Sequence, residues 1–195
     1  MHFKQLFKYC PVCAHNRFVE NDEKSKRCEK CGFVFYQNPS AAVAAFILND
    51  NNELLVCRRA RQPFIGTLDL PGGFVDACET AEQAIKREIK EETNLEVTGL
   101  DYLFSMPNTY PYSNLDIPTL DLFYTCRSVN NEKARPSDDA AELYWIHLSE
   151  LNPELFGLQS IRKAIAYYIL LLSDKKIIED IKIGLTSLAR SAHFC

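Results

Sequence analysis

Residues 72–95, "GGFVDACETAEQAIKREIKEETNL", restrict the fold more than any other stretch. A Gly-Gly break precedes a segment of helical periodicity. Thr80 and Gln83 stand at the capping-box spacing, which predicts a helix start at Thr80. Asn94 falls where a left-handed residue would end that helix. Glu88, Glu91 and Glu92 crowd its last turns. Like charges at i,i+3 and i,i+4 cost about 0.2–0.5 kcal/mol per solvated pair. At about 100° per residue the glutamates share one arc with Ala81 and Ala84, beside the apolar stripe of Ile85 and Ile89. Lys86 and Lys90 lie elsewhere on the wheel. Carboxylates between small side chains, next to the buried stripe, describe a recess; the competing picture is an acidic surface helix. In a half-buried recess one such pair costs roughly 3 kcal/mol at about 5.5 Å and an effective dielectric near 20. Either a proton or a cation must relieve it. For hard oxygen ligands that cation is Mg²⁺ or Mn²⁺.

A second pattern governs the N-terminus. Cys10 and Cys13 form one C-x2-C pair, and Cys28 and Cys31 form another. Two such knuckles can deliver four thiolates to a structural Zn²⁺, with a redox pair or chance pairing as the alternative. A module this short falls below the roughly 40 residues at which a metal or disulfide staple is usually needed. Four protein ligands leave no open position, so no catalysis is expected there. The remaining cysteines, Cys57, Cys78, Cys126 and Cys195, are scattered and read as core fillers or surface thiols.

The bulk numbers suit one globular domain with a small appendage: 195 residues, 47% hydrophobic, net charge -4. That charge argues against nucleic acid as a partner. No apolar leader opens the chain, and its longest apolar run, residues 164–172, is shorter than the about 20 needed to span a bilayer. A cytoplasmic location and no membrane partner are therefore expected.

Along the chain, "YQNPS" (36–40) reads as a linker, 41–48 as a buried strand, 49–52 as a turn and 53–59 as its hairpin partner. Residues 66–75 hold a strand fragment, a Pro-Gly-Gly break and a restart. Further strands are expected at 95–105, 119–127 and 143–148, a loop at 135–140 and an apolar helix at 158–172. Ser173 or Asp174 is the expected cap of a last helix. The expected organisation is a zinc ribbon over 1–37, a main domain over 38–172 and a helical tail over 173–195. Gly72 and Gly73 permit close backbone approach to a ligand. Arg58 and Arg59, ending the hairpin strand, are candidates to meet phosphate oxygens, against routine surface charge.

These residues resemble a known family. Gly73, Glu79, Arg87-Glu88-Ile89, Glu91-Glu92 and Asn94-Leu95 follow the spacing of the Nudix box, with Asn94 where the family usually has Gly. "GTLDLPGGFV" and "AAELYWIHLSEL" resemble the flanking segments of that family, and Leu68 stands where Trp is common. The resemblance implies an α/β class protein: a Nudix-type α/β/α sandwich around a mixed sheet, here preceded by a small zinc ribbon. It implies hydrolysis of a nucleoside diphosphate linked to another moiety. By the match, Gly73, Glu88, Glu91 and Glu92 would hold divalent metal, with Glu79 and Arg87 bracing the loop and helix. Glu92 is the first candidate for general base and Glu142 the second. A ribbon ahead of such a domain is similar to NADH pyrophosphatases and to ADP-ribose/FAD pyrophosphatases. The substrate motif of the former, S-Q-P-W-P-F-P-x-S, is met by "SMPNTYPYS" (105–113), which departs at Met106, Asn108 and Thr109. Tyr110 or Tyr112 is a candidate to stack on a base, against edge-strand packing. The expected partner is a small-molecule nucleotide, and the resemblance leans towards a homodimer. The alternative is a non-catalytic nucleotide- or nucleic-acid-binding regulator on the same fold.

Overall fold

The computed structural model describes residues 1–136 and 140–174. Strand β4 (Ser40–Leu48) organises the main body. Its alternate side chains enter two cores. Val43, Ala45 and Ile47 pack with Ala84, Ile85 and Ile89 of helix α2, which spans Ala81–Thr93. Ala44, Phe46 and Leu48 pack with Ile161, Ala164, Ile165 and Tyr168 of the C-terminal helix, which covers 159–174. The rings of Phe46 and Tyr168 stack with centroids 4.0 Å apart. A strand with both faces buried lies between two helical layers, so the main body is the expected α/β/α sandwich. Ile85 and Ile89 are fully buried. Each contributes about 1.5–3 kcal/mol, which outweighs the like-charge cost on the same helix.

The sheet is mixed. Its order is β10 (Ala140–His147), β5 (Glu53–Arg59), β4, β9 (Leu115–Ser128) and β8 (Val97–Tyr112), with β4 and β9 parallel. The strands expected at 95–105 and 119–127 are parts of a much longer hairpin that absorbs "SMPNTYPYS". Ser113 and Asn114 turn it with φ of 49° and 62°, the left-handed pair that suits a two-residue turn between twisted strands. Pro107 and Pro111 are tolerated because β8 is the outermost strand of the path, where a missing N–H leaves no neighbour unpaired.

β4 and β5 pair only next to their turn, at Leu48 and Leu54. Beyond it they part. β6 (Leu68–Asp69) pairs with β5 and β7 (Gly72–Phe74) with β4, and the Pro71 carbonyl accepts the Ala45 N–H at 2.9 Å. This split in the sheet opens the cleft described below.

The cysteine module is a three-stranded sheet, β1 (Phe18–Asp22), β2 (Ser25–Cys28) and β3 (Val34–Tyr36), over a small core of Cys10, Phe18 and Cys28. A short helix, α1 (Phe3–Leu6), is fastened to it by buried Lys26, whose Nζ donates to the carbonyls of Lys4 and Phe7. The Met1 ammonium pairs with Asp116 at 2.8 Å, and the Asp116 N–H donates to the Met1 carbonyl, joining this end of the chain to β9.

Ser173 and Asp174 do not begin a new helix. The helix from 159 runs through both, and Ser173 Oγ donates to the Ile169 carbonyl at 3.0 Å. The expected last helix falls on 175–195, outside the described residues. Among the described residues no helix is long and apolar enough to cross a membrane.

Candidate active site

Helix α2 starts and stops where its sequence indicates. Thr80 and Gln83 form a reciprocal capping box, and Asn94 adopts φ 59°, ψ 12° with its N–H on the Lys90 carbonyl. The caps fix which turn carries Arg87, Glu88, Glu91 and Glu92. Arg87 is the hub. It forks onto Glu79 through two bonds of 2.9 Å, reaches the Phe74 carbonyl at 3.1 Å, and donates from Nη1 to Glu88 at 2.8 Å and Glu91 at 3.1 Å. Glu79, then Glu88, push its pKa up. One guanidinium thus ties the loop at 74–79 to the helix.

Glu88 is 14% exposed, and burial raises its carboxyl above the usual range against the opposing pull of Arg87. A Cβ built on Gly73 would overlap Glu88 Oε1, so any side chain there would have to displace this carboxylate. A Cβ on Gly72 would lie 2.1 Å from the Val43 carbonyl oxygen. The Gly72 N–H donates to Glu92 Oε2 at 3.0 Å.

The cleft in the split sheet has a volume of ≈ 330 Å³. Gly72, Gly73 and Glu92 line one end, and Tyr110 and Tyr112 contribute to its wall. Of the two neighbouring arginines only Arg59 lines it. That arginine is engaged with Asp69, the Pro63 carbonyl and the Tyr110 hydroxyl. Burial pushes the Asp69 carboxyl up despite this guanidinium. Arg58 turns to the other side of β5, where it donates to Glu142, Tyr144 and the Gly66 carbonyl. Arg58 and Glu142 therefore form a pair of their own, and neither lines the cleft. Sequence reasoning missed six polar residues that do line it: Arg61, Gln62, Asp69, Asn108, Thr119 and Asp121. Thr119 and Asp121, polar at i and i+2 within apolar "TLDLFY", carried a signal for the last of these.

The described residues hold one group of three or more His, Cys, Asp or Glu ligand atoms that all lie within 4.8 Å of one another: Cys10, Cys13, Cys28 and Cys31. Their sulfurs approach to 3.6 Å across the pairs Cys10–Cys31 and Cys13–Cys28. That is too long for a disulfide and close to the roughly 3.8 Å edge of a tetrahedron with about 2.3 Å zinc–sulfur bonds. Backbone N–H groups, Cys31's first and then Lys30's, pull the Cys28 thiol down to about 6, while the Cys31 thiol, despite the Phe33 N–H, is pushed up to about 12 by burial and the neighbouring sulfurs. These four cysteines can hold a metal ion.

Comparison with known proteins agrees with this geometry. The model of the NUDIX domain matches residues 38–168. An ADP-ribose pyrophosphatase of Methanocaldococcus jannaschii is 35% identical over 133 residues, 67% of this chain and 75% of that protein. The NAD-capped RNA hydrolase NudC of Haemophilus influenzae (strain PittGG) is 34% identical over 118 residues, 58% of this chain. The chain spans 44% of that relative's length. A NUDIX hydrolase from Nitrosomonas europaea superimposes with a TM-score of 0.64 at 22% identity, covering 83% of this chain and 90% of its own, a likeness of fold. With the box helix, the split sheet and the family match in one place, the chain belongs to the Nudix family and is an enzyme of the Nudix hydrolase class.

Proposed function

We propose that this Nudix hydrolase is a divalent-metal-dependent pyrophosphohydrolase that cleaves the diphosphate of an ADP-ribose-like substrate, with NADH and FAD-like dinucleotides the wider class. The observation that carries the reading is the end of the cleft where Glu92 faces the Gly72-Gly73 backbone, with Glu88 directly behind it. The archaeal relative named ADP-ribose pyrophosphatase supports the substrate, and the NudC relative supports the wider class.

The donors suit a hard cation. Glu88, Glu91, Glu92 and the Gly73 carbonyl offer oxygen only, and burial raises the Glu88 carboxyl even against the pull of Arg87, a cost that a cation beside it would offset. Mg²⁺ or Mn²⁺ held there would neutralise diphosphate oxygens and acidify a bound water. The protein supplies the rest. The side-chain-free backbone at Gly72 and Gly73 lets a phosphate approach closely. Arg87 fixes the positions of Glu88 and Glu91. Glu92, open to the cleft, accepts the proton of the attacking water. The water oxygen bonds to phosphorus as the anhydride P–O bond breaks, and two phosphomonoesters leave. In the ribbon, Zn²⁺ on the four cysteines has a structural role.

The test is an assay of the purified chain with Mg²⁺ or Mn²⁺ against ADP-ribose, NADH, NAD⁺, FAD and diadenosine polyphosphates. Release of AMP from ADP-ribose is expected. Equal inactivity of folded wild type and Glu92→Gln on every substrate would sink the reading.

A further inference from the structure

A second recess, of ≈ 440 Å³, lies at the other end of β4 from the cleft. Leu48 lines it, four residues and roughly 13 Å along the strand from Ala44 of the cleft wall. The C-terminal helix covers this face of the sheet as far as Phe46, on which Tyr168 stacks. One turn later Leu171 and Leu172 form the lip of the recess, and Leu103 and Leu148 complete its apolar lining. These last four leucines are only partly buried.

The polar lining does not point to a small ligand. The Thr125 hydroxyl is spent on the Phe46 carbonyl at 3.4 Å, and Arg127 donates to the Asn49 carbonyl at 3.4 Å. Arg127 and Asp101 are exposed residues of this lining. A small-molecule site holds a few polar groups that converge inside an enclosed apolar pocket. Partly open leucines with charges outside them suit the apolar face of an amphipathic helix instead.

The chain carries a matching pattern next to the lip. Residues 175–195, "KKIIEDIKIGLTSLARSAHFC", follow three positions after Leu172 and lie outside the described residues. At about 100° per residue, Ile177, Ile178, Ile181, Leu185 and Leu188 share one arc about 100° wide. Glu179, Thr186 and Arg190 fall on the other side of the wheel. Asp180 and Lys182 flank the arc, one on each side, with the signs that complement Arg127 and Asp101. An apolar stripe of this width faces a core in a globular protein.

We propose that segment 175–195 folds back as an amphipathic helix and seats its isoleucine–leucine stripe in this groove of its own chain. The seat closes the sheet at the end away from the cleft. It does not depend on the hydrolase reading.

Limited trypsin digestion and hydrogen exchange of the full chain test it with two neighbouring substitutions. Leu185→Asp puts a charge in the stripe, and Thr186→Asp puts the same charge on the other side. A carboxylate cannot enter an apolar groove unpaired, so Leu185→Asp is expected to speed cleavage after Lys182 and Arg190 at least about tenfold. It should also quicken exchange in peptides covering 97–103 and 123–128. Thr186→Asp should leave both readouts at wild-type values. Equal cleavage in all three proteins overturns the proposal. So does exchange at 97–103 and 123–128 that ignores Leu185→Asp, because the stripe then lies elsewhere. Protection of the segment that is lost on dilution, in step with dissociation seen by light scattering, assigns the groove to a second copy and also overturns it. No readout needs turnover, so failure of the hydrolase reading would leave this test standing.

Discussion

The four ribbon sulfurs lie within 4.8 Å of one another, whereas the box carboxylates are dispersed: Glu88 and Glu91 rest on Arg87, and Glu92 on the Gly72 N–H. Both groups come from tight sequence spacing. The cysteines sit in short turns that close on a single point, over a small core of Cys10, Phe18 and Cys28 edged by Phe33 and Phe35. The glutamates sit on a helix that two buried isoleucines hold in place regardless of any ligand. A module whose core is this small and is built partly from its own cysteines is expected to need a metal to fold. A site mounted on an independently packed helix can keep its ligands apart until substrate and cation arrive.

The largest expected effect follows from that contrast. Stripping metal with a strong chelator should remove on the order of 10–16 kcal/mol of apparent binding energy from the ribbon. Amide signals of residues 1–36 should collapse in NMR spectra while those of β4, β9 and α2 persist. A ribbon that stays folded without metal would break the comparison.

On the other side of it, Glu92→Gln should lower kcat for ADP-ribose about 10²–10⁴-fold with little change in melting temperature. The two glycines sharpen the distinction between chemistry and packing. Gly73→Ala presses on the movable end of Glu88, so its main cost should be activity, read as kcat. Gly72→Ala meets the Val43 backbone, so its main cost should be stability, read by urea unfolding. Equal stability losses in the two would remove the role given to Gly73. Thr80→Ala should cost about 1 kcal/mol of stability through the lost cap, with activity following only as far as the helix start frays.

The smallest effect near neutral pH concerns Cys126. Burial pushes its thiol up to about 12 from an ordinary value of 9.0. Between those values the unfolded thiol ionises and the folded one does not, so the unfolded state binds fewer protons and stability falls as pH rises from 9 towards 12. Cys126→Ala should flatten that part of the stability curve. With a thiol reagent at pH 8, exposed Cys78 should react while buried Cys57 and Cys126 stay silent in the native protein.

The sequence by itself determined what depends on near neighbours. Thr80, Gln83 and Asn94 set the ends of α2, the unbroken apolar run "AAVAAFIL" before a turn marked β4, and the paired cysteines marked the ribbon. Spacing along one helix or one turn is a local geometry, so residues a few positions apart carry it complete. What only the tertiary structure decided depends on register between distant strands. Arg58 and Arg59 are neighbours on β5, so their side chains leave opposite faces. Which one meets the cleft follows from pairing β5 with β6 and β10, and it is Arg59, while Arg58 is matched to Glu142. The Pro-containing segment 105–112 became an edge strand only because β9 lies on one side of it and no strand of the path on the other. Asn108 and Asp121 are 13 residues apart and lie two positions off register across β8 and β9. No period in the chain announces that meeting, and it forms because the Ser113-Asn114 turn folds one strand back onto the other.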